Sequence, residues 1–424
     1  MIAVAMNIAL SAYGIAKAKL IKNCPNVIFV LVETSRADHY GCFGYHRDNT
    51  TNIDRLAKDS VLFKKAITQA PCTIPAVWNV LSSKYQSSVP SLSSYVTMAE
   101  YFKSKGYTTA AITSHQFLRD LAQQNLQQGF DHYDTFCELN RYKGSARRAE
   151  YLVDAARKWI KKNNSRPFFL WLFFFDPHDP YVPPDEFIGY YNKTSKYSGD
   201  RRAKSITRDK KIIPEEHRRF LINAYDEEIR YFDHQLGIFL DSMKKNGGYD
   251  NSLIILTSDH GEELGDNGGR WDHAQLVSQE EIHVPLLIKL PGTHKKTVVG
   301  DEWVQTIDIF PTIIEYFDEG RMPSFFPTLE GQSLLPLIRG TRGPDFRSAF
   351  SFWREQKCVL KAAHKYWYDN GKESYVDLKS RSDIDDENVK RELKTDMKEI
   401  CDKYLNTEGY YDRNSEMLKS LGYL

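Results

Sequence analysis

Four short stretches of the chain carry side chains suited to nucleophilic, acid–base or metal chemistry. Glu33 and Thr34 follow the apolar run Val27–Val32, Asp176-Pro177-His178-Asp179 follows Phe168–Phe175, and Thr257-Ser258-Asp259-His260-Gly261 follows Leu253–Leu256. Carboxylates and imidazoles are metal-ligand types, and Glu33, Asp259 and His260 together make a set for one divalent ion. All-oxygen sites suit calcium or magnesium; the imidazole shifts the preference toward manganese or zinc, with calcium still admissible. The fourth stretch is Ala70-Pro71-Cys72-Thr73-Ile74-Pro75. Pro75 fits the first turn of a helix and puts Thr73 at or beside its N-cap. A hydroxyl there either caps the helix, worth ~1 kcal/mol, or faces an anion held by the free N–H groups and the helix dipole.

The elements around these stretches set where they meet. Val27–Val32, Ala110–Thr113, Phe168–Phe175, Leu253–Leu256 and Leu286–Leu290 are continuous apolar runs without alternation. Such runs read as strands buried on both faces, as in a parallel sheet. Helical patterns lie between them near 94–105, 147–163 and 215–245; in the last, Ile229, Phe232, Leu236, Phe239 and Met243 recur at three- and four-residue steps. Strands alternating with helices predict an α/β fold with a mostly parallel central sheet. In such sheets ligands bind at the carboxyl ends of the strands, where three of the four stretches fall. The polar segments 179–214 and 262–282 are too long for simple connectors and are expected to cover a site. After Gly343-Pro344 the texture changes to aromatic-rich runs at 348–353 and 357–368 and a charged helical pattern at 385–405. The expected organisation is an apolar segment at 1–24, a catalytic domain at 25–345, and a small sheet-and-helix domain at 346–424.

Composition excludes several classes. The 424 residues carry 57 Lys+Arg against 56 Asp+Glu, a formal net charge of +1. That balance argues against nucleic-acid binding, which needs a basic domain. A hydrophobic content of 41% is too high for a disordered chain. The cysteines at 24, 42, 72, 137, 358 and 401 form neither a CxxC pair nor a disulfide framework. Met1 to Ala16 is mostly apolar and is followed by Lys17, Lys19 and Lys22. It is short for a spanning helix and has no positive charge before it, which leaves membrane association open. The trailing lysines lean toward a cytoplasmic or membrane-associated chain.

With these residues in view, the chain resembles the sulfatase family of the alkaline phosphatase superfamily. The likeness is carried by Asn26–Tyr45, Asn52–Ala57, Ala70–Ser83, Gly129–Tyr133, Phe175–Pro184, Tyr225–Gly237, Thr257–Gly268, His273, Glu281–Pro285 and Leu418–Leu424. It implies a large α/β domain with a small domain after it, one divalent metal, and covalent catalysis by a nucleophile at a helix start.

The departures from the family pattern matter as much. Glu33-Thr34 stands where sulfatases carry Asp-Asp, and Asp259-His260 where they carry Asp-Asn or Asp-Gln. The signature whose first residue becomes formylglycine is broken. With Pro75 as its proline, Thr73 takes the nucleophile position, Val77 the arginine position, and Cys72 falls one residue early; the alternative register, with Cys72 as nucleophile, needs a one-residue insertion before the proline and still lacks the arginine. The quartet Glu33, Thr73, Asp259 and His260 instead looks like relatives that use threonine on phosphorus, the phosphoethanolamine transferases and lipoteichoic acid synthases. The resemblance places His178 and His273 near the pocket for acid–base work. Arg36 is a candidate for the anion, with pairing to Asp38 as the alternative, and His115 and Cys72 are candidates for substrate contact. The expected function is hydrolysis of a sulfate or phosphate ester of a small molecule, glycan or lipid through Thr73. Transfer of a phospho-alcohol group and non-catalytic anion binding are the alternatives.

Overall fold

Residues 27–32 contain no polar side chain, so both faces of that strand require apolar cover and only the middle of a sheet supplies it. In the computed structural model, which describes residues 24–85, 95–114, 118, 126–135, 146–193, 201–202, 206, 213–319, 329–341 and 347–405, the strand lies there. The main sheet contains β1 (Asn26–Val32), β2 (Val61–Phe63), β3 (Thr108–Thr113), β4 (His132–Asp134), β5 (Phe168–Phe174), β6 (Ser252–Ser258), β7 (Leu286–Lys289) and β8 (Thr297–Val299). Their order across the sheet is β8-β2-β7-β6-β1-β5-β3-β4. β1 pairs parallel with β5 on one side and β6 on the other, whereas β7 runs antiparallel to β6 and β2. The sheet is therefore mixed, with a parallel centre.

Alternate residues of β1 feed two cores. Ile28, Val30 and Val32 pack with Leu152 and Ala156 and with Ile229 and Phe232. Val27, Phe29 and Leu31 pack with Val77, Trp78 and Leu81, with Phe102, and with Phe310. The helices that supply these side chains are α2 (Thr73–Ser82), α3 (Met98–Ser104), α4 (Ala149–Asn163), α5 (Glu215–Lys245) and α6 (Ile309–Asp318), and α1 (Thr51–Lys58) adds Ile53 and Leu56 to the first core. The α5 helix matches the three- and four-residue spacing of its apolar residues. No helix among the described residues is long and apolar enough to cross a membrane, and residues 1–23 lie outside them.

A five-stranded antiparallel sheet follows, with strands β9 (Ala349–Trp353), β10 (Gln356–Lys361), β11 (His364–Asp369), β12 (Lys372–Asp377) and β13 (Ser382–Asp383), and with α7 (Glu387–Tyr404) against it. The aromatic-rich stretch 357–368 is two strands and not one run. The reversal falls on Ala362-Ala363, with Ala362 at φ 54. Left-handed alanine carries none of the Gly or Asn signal that marks such turns, so the sequence pattern hides it. This sheet shares a core with segments that flank the larger one, since Cys72, Ile67 and Val277 cluster with Ala349, Trp353, Cys358 and Leu360.

Candidate active site

β1 and β6 end side by side, and the chain leaves each in a conformation that brings its polar residues together. Thr34 has φ 51, a left-handed backbone that costs a β-branched residue about 1–3 kcal/mol. Hydrogen bonds on both sides hold it. The Thr34 N–H donates to Asp259 Oδ1 at 3.1 Å, and the Tyr225 hydroxyl on α5 donates to the Thr34 carbonyl at 2.7 Å. The Arg36 N–H in turn donates to the Tyr225 hydroxyl at 3.0 Å. Past β6, Gly261 passes so close to the backbone of Glu280 that a Cβ would lie 2.0 Å from the Glu280 carbonyl oxygen. Only glycine fits there, and it locks the Asp259–Glu263 turn onto the short helix Gln279–Ile282.

The Thr73 hydroxyl is not a cap. α2 begins at Thr73 with Cys72 as N-cap residue and no side-chain cap bond. Instead, Thr73 Oγ1 donates to Glu33 Oε1 at 3.1 Å and lies 3.2 Å from His260 Nε2. All of these groups are buried. His260 Nδ1 is 2.8 Å from the Gly261 carbonyl, which only accepts, so Nδ1 carries the proton and Nε2 presents a lone pair. Burial pushes the His260 pKa down to about 4, which keeps the imidazole neutral. Burial also raises the Asp259 carboxyl above its ordinary value. Asp259 Oδ2 accepts no hydrogen bond and sits 3.5 Å from His260 Nε2.

This arrangement suits a cation. Thr73 Oγ1 lies against both Glu33 Oε1 and His260 Nε2, and Asp259 Oδ2 lies 3.5 Å from the same imidazole nitrogen. Buried groups of this kind are costly unless paired or ligating. An imidazole, two carboxylates and a hydroxyl are residue types that could hold a divalent ion.

Two further histidines border the cluster. His178 Nε2 lies 3.8 Å from Glu33 Oε1, its Nδ1 is tied to the Asp179 carbonyl, and its ring stacks on Phe175 at 4.5 Å. The His273 ring is 4.5 Å from that of His260 and 5.1 Å from that of His178. The structure thus gathers Glu33, Thr73, His178, Asp259, His260 and His273 from five separate stretches.

Other candidates are placed elsewhere. Arg36 does not turn its guanidinium to an anion pocket. Its nitrogens bond Asp38 at 2.8 and 3.0 Å, Asp266 at 2.6 Å and the Glu262 carbonyl at 3.1 Å, so Asp38 and Asp266 consume its charge. Cys72 is corrected as a substrate contact: it is fully buried in the apolar cluster under the five-stranded sheet, where burial pushes its thiol pKa well up. Val77, in the position of the family's arginine, is equally buried in apolar surroundings. Asp176 serves structure, its Oδ1 accepting the Ala149 N–H at the start of α4. His115 lies outside the described residues. Sequence reasoning missed Tyr225, which pins the Thr34 turn, and Glu262 and Asp272 beside His273. The adjacency of Asp272 to His273, and of Glu262 to the His260-Gly261 turn, was the available signal.

The sulfatase family profile matches residues 25–319, well over half of the chain. The chain belongs to the sulfatase family. A second profile, the carboxyl-terminal region of N-sulphoglucosamine sulphohydrolase, matches residues 267–420. An arylsulfatase of Clostridium perfringens is 25% identical over 471 aligned positions, covering 94% of this chain and 93% of that protein. A structure solved in complex with its substrate D-glucosamine-2-N,6-O-disulfate superposes with a TM-score of 0.72 at 18% identity, over 92% of this chain and all of the other. The phosphonate monoester hydrolase of Agrobacterium radiobacter superposes with a TM-score of 0.67 at 18% identity, over 94% and 96%. The chain has the alkaline-phosphatase-like fold of this family and is an ester hydrolase of the sulfatase type. Sulfatase-family enzymes depend on a divalent metal.

Proposed function

We propose that this sulfatase-family member hydrolyses a sulfate or phosphate ester with Thr73 as nucleophile, through a threonine ester. The observation that carries the reading is the position of Thr73 Oγ1, relieved of capping and held between Glu33 Oε1 and His260 Nε2. A divalent ion held by Glu33, Asp259, His260 and Thr73 supplies a lowered hydroxyl pKa and charge neutralisation. Manganese or zinc fits these ligands best.

The chain's own residues handle the protons. His178, whose Nδ1 proton is held by the Asp179 carbonyl, presents Nε2 as an acceptor beside Glu33 and takes the Thr73 proton. Thr73 Oγ1 attacks sulfur or phosphorus in line, and the bond to the alcohol oxygen breaks. His273, backed by Glu262 at 3.4 Å and Asp272 at 3.2 Å, donates its Nε2 proton to that oxygen. Water then attacks the threonine ester. His273 recovers its proton from the water and His178 returns its proton to Thr73, so each histidine reverses its role. Formylglycine can expel sulfate by collapse to an aldehyde; threonine cannot, so external attack by water must break its ester.

The arylsulfatase relative and the sugar-disulfate complex support an ester of a small molecule or saccharide as substrate. The phosphonate monoester hydrolase neighbour keeps phosphorus esters in the set to assay. The test compares purified Thr73→Ala and Cys72→Ala on aryl sulfate, phosphate monoester and phosphodiester, each with manganese, zinc or calcium. Loss in Thr73→Ala with activity kept in Cys72→Ala is expected; the reverse pattern rejects the reading.

A further inference from the structure

The α7 helix divides its residues between two stripes. Val389, Leu393, Met397 and Ile400 recur at three- and four-residue steps and pack on the five-stranded sheet. Lys390, Arg391, Lys394 and Lys398 fall off that stripe and repeat at the same spacing beside it. On the sheet, Lys357, Tyr368 and Glu373 lie opposite one another across β10, β11 and β12. Tyr366 and Tyr375 pair two residues along, and residues two apart in a strand share a face. Between this face and α7 runs an open cleft of about 840 Å³, a volume within the usual range for ligand sites.

Its lining is biased in charge. Lys357, Lys390, Arg391, Lys394 and Lys398 stand against two carboxylates, Glu373 and Glu387. The whole chain is balanced to +1, so the excess is local to this cleft. Three of the lysines have carboxylate partners: Lys394 with Glu373 at 2.6 Å, Lys390 with Glu387 at 2.7 Å, and Lys398 with Asp402 at 2.5 Å. Those pairs are solvated and contribute only ~0–1 kcal/mol each, so an incoming anion displaces them at little cost. Among the described residues Arg391 and Lys357 bond neutral oxygens only, Asn388 Oδ1 at 2.7 Å and the Glu355 carbonyl at 3.5 Å.

The cleft also presents aromatic rings. Tyr366 and Tyr375 stack with centroids 4.6 Å apart and planes 9° from parallel. Lys390 Nζ lies 5.9 Å from the centre of the Tyr375 ring, and Lys357 Nζ 5.5 Å from that of Tyr368. These features select the occupant. Lys390 and Lys398 are eight residues apart, about 12 Å along the helix axis, which is more than one sulfate or phosphate ion bridges. The ligand therefore carries several anionic groups along its length. Tyrosine faces beside the cations call for flat, partly apolar units between those groups, and pyranose rings supply them through their C–H faces. A furrow between sheet and helix admits a chain, whereas a membrane surface is flat.

We propose that the cleft between α7 and strands β10–β12 binds a sulfated oligosaccharide. It shares no residue with the site at Thr73 and takes no part in the chemistry; it tethers the chain whose esters the active site cleaves. The choice of a saccharide over other polyanions rests on the proposed function, whereas the cleft itself does not depend on Thr73.

The test is calorimetry on the full chain with a heparin octasaccharide, in salt of about 0.15 M so that weak surface attraction is screened. Binding is expected, weakened about tenfold in the double variant Arg391→Ala, Lys394→Ala and about threefold in Tyr368→Ala. The double variant Lys158→Ala, Lys161→Ala removes the same charge from α4 and is expected to bind as the wild type does. Circular dichroism and aryl-ester turnover are expected to be unchanged in all three. A wild type without turnover rejects the proposed function and leaves the binding result to decide the cleft. No binding, an equal loss in both double variants, or full affinity in a folded Arg391→Ala, Lys394→Ala chain overturns the site. Full affinity in Tyr368→Ala removes the aromatic wall and with it the assignment to a saccharide; should that variant not fold, the exposed double variant decides. Equal affinity for unsulfated hyaluronan or for single-stranded DNA of similar length also overturns the proposal.

Discussion

Two buried histidine–aspartate pairs lie close to the end of β1, and they are opposites. His39 Nδ1 is 2.6 Å from Asp226 Oδ1, and the other Asp226 oxygen accepts from Tyr45 and Arg47, both at 2.6 Å. Asn49 adds a longer contact at 3.4 Å. That carboxylate is surrounded by donors. Asp259 and His260 are as deeply buried, yet Asp259 Oδ2 accepts nothing and His260 turns a lone pair toward Thr73. Residue types and burial are the same in both places. What separates a structural pair from a candidate metal pair is the supply of donors: Asp226 is ringed by them, whereas Asp259 Oδ2 accepts no hydrogen bond among the described residues.

Substitutions at matched positions sharpen this contrast. The largest effect is expected at the hydroxyls: Thr73→Ala should lower kcat by about 10⁴-fold, as losses of a covalent nucleophile do. Its counterpart Tyr45→Phe should leave kcat within about twofold and lower only the melting temperature. The carboxylates come next. Asp226→Ala strands Arg47 and His39 and should cost about 3–5 kcal/mol in chemical denaturation. Asp259→Asn should leave the metal-free protein no less stable, because burial already opposes its charge, while abolishing metal binding beside Thr73. An Asp259→Asn chain that loses stability as Asp226→Ala does would erase the distinction.

Smaller effects follow from the neighbours. His273→Gln should slow alkyl esters more than aryl esters, by about 10–100-fold, because poor leaving groups need the donated proton. A uniform loss on both would remove His273 from that role. Glu263, buried near Glu280 and Asp266, is pushed up to about 7 against an ordinary 4.5. Its folded form holds the proton more tightly than the unfolded chain does, so its contribution is greatest below pH 4.5 and is lost as pH rises to about 7. Glu263→Gln should flatten that slope and add about 1–3 kcal/mol above pH 7 in thermal melts. Cys72→Ala is expected to cost about 1 kcal/mol of core packing and no activity.

The sequence carried the main sheet well, because residues 27–32, 168–174 and 253–256 are apolar on both faces and have no other stable place. It also showed which strand ends hold Glu33, His178, Asp259 and His260. Donor supply stayed hidden. Arg36 and Asp38 are two residues apart and could be paired on paper, but the 2.6 Å bond from Arg36 to Asp266 spans 230 positions. Tyr225 reaches Thr34 across 191 positions. Such long-range contacts leave no periodicity behind. Cys72 and Thr73 show the same limit at closest range. They are adjacent, and only the direction in which the start of α2 turns each side chain sends one into an apolar core and the other into the site.

The central claim, that Thr73 carries the covalent intermediate, is most directly tested by acid-quenching the wild-type enzyme during turnover and sequencing its peptides by mass spectrometry. The account predicts a phosphoryl or sulfuryl group on Thr73 with Cys72 unmodified. An aldehyde or an ester at position 72, with Thr73 bare, would contradict it.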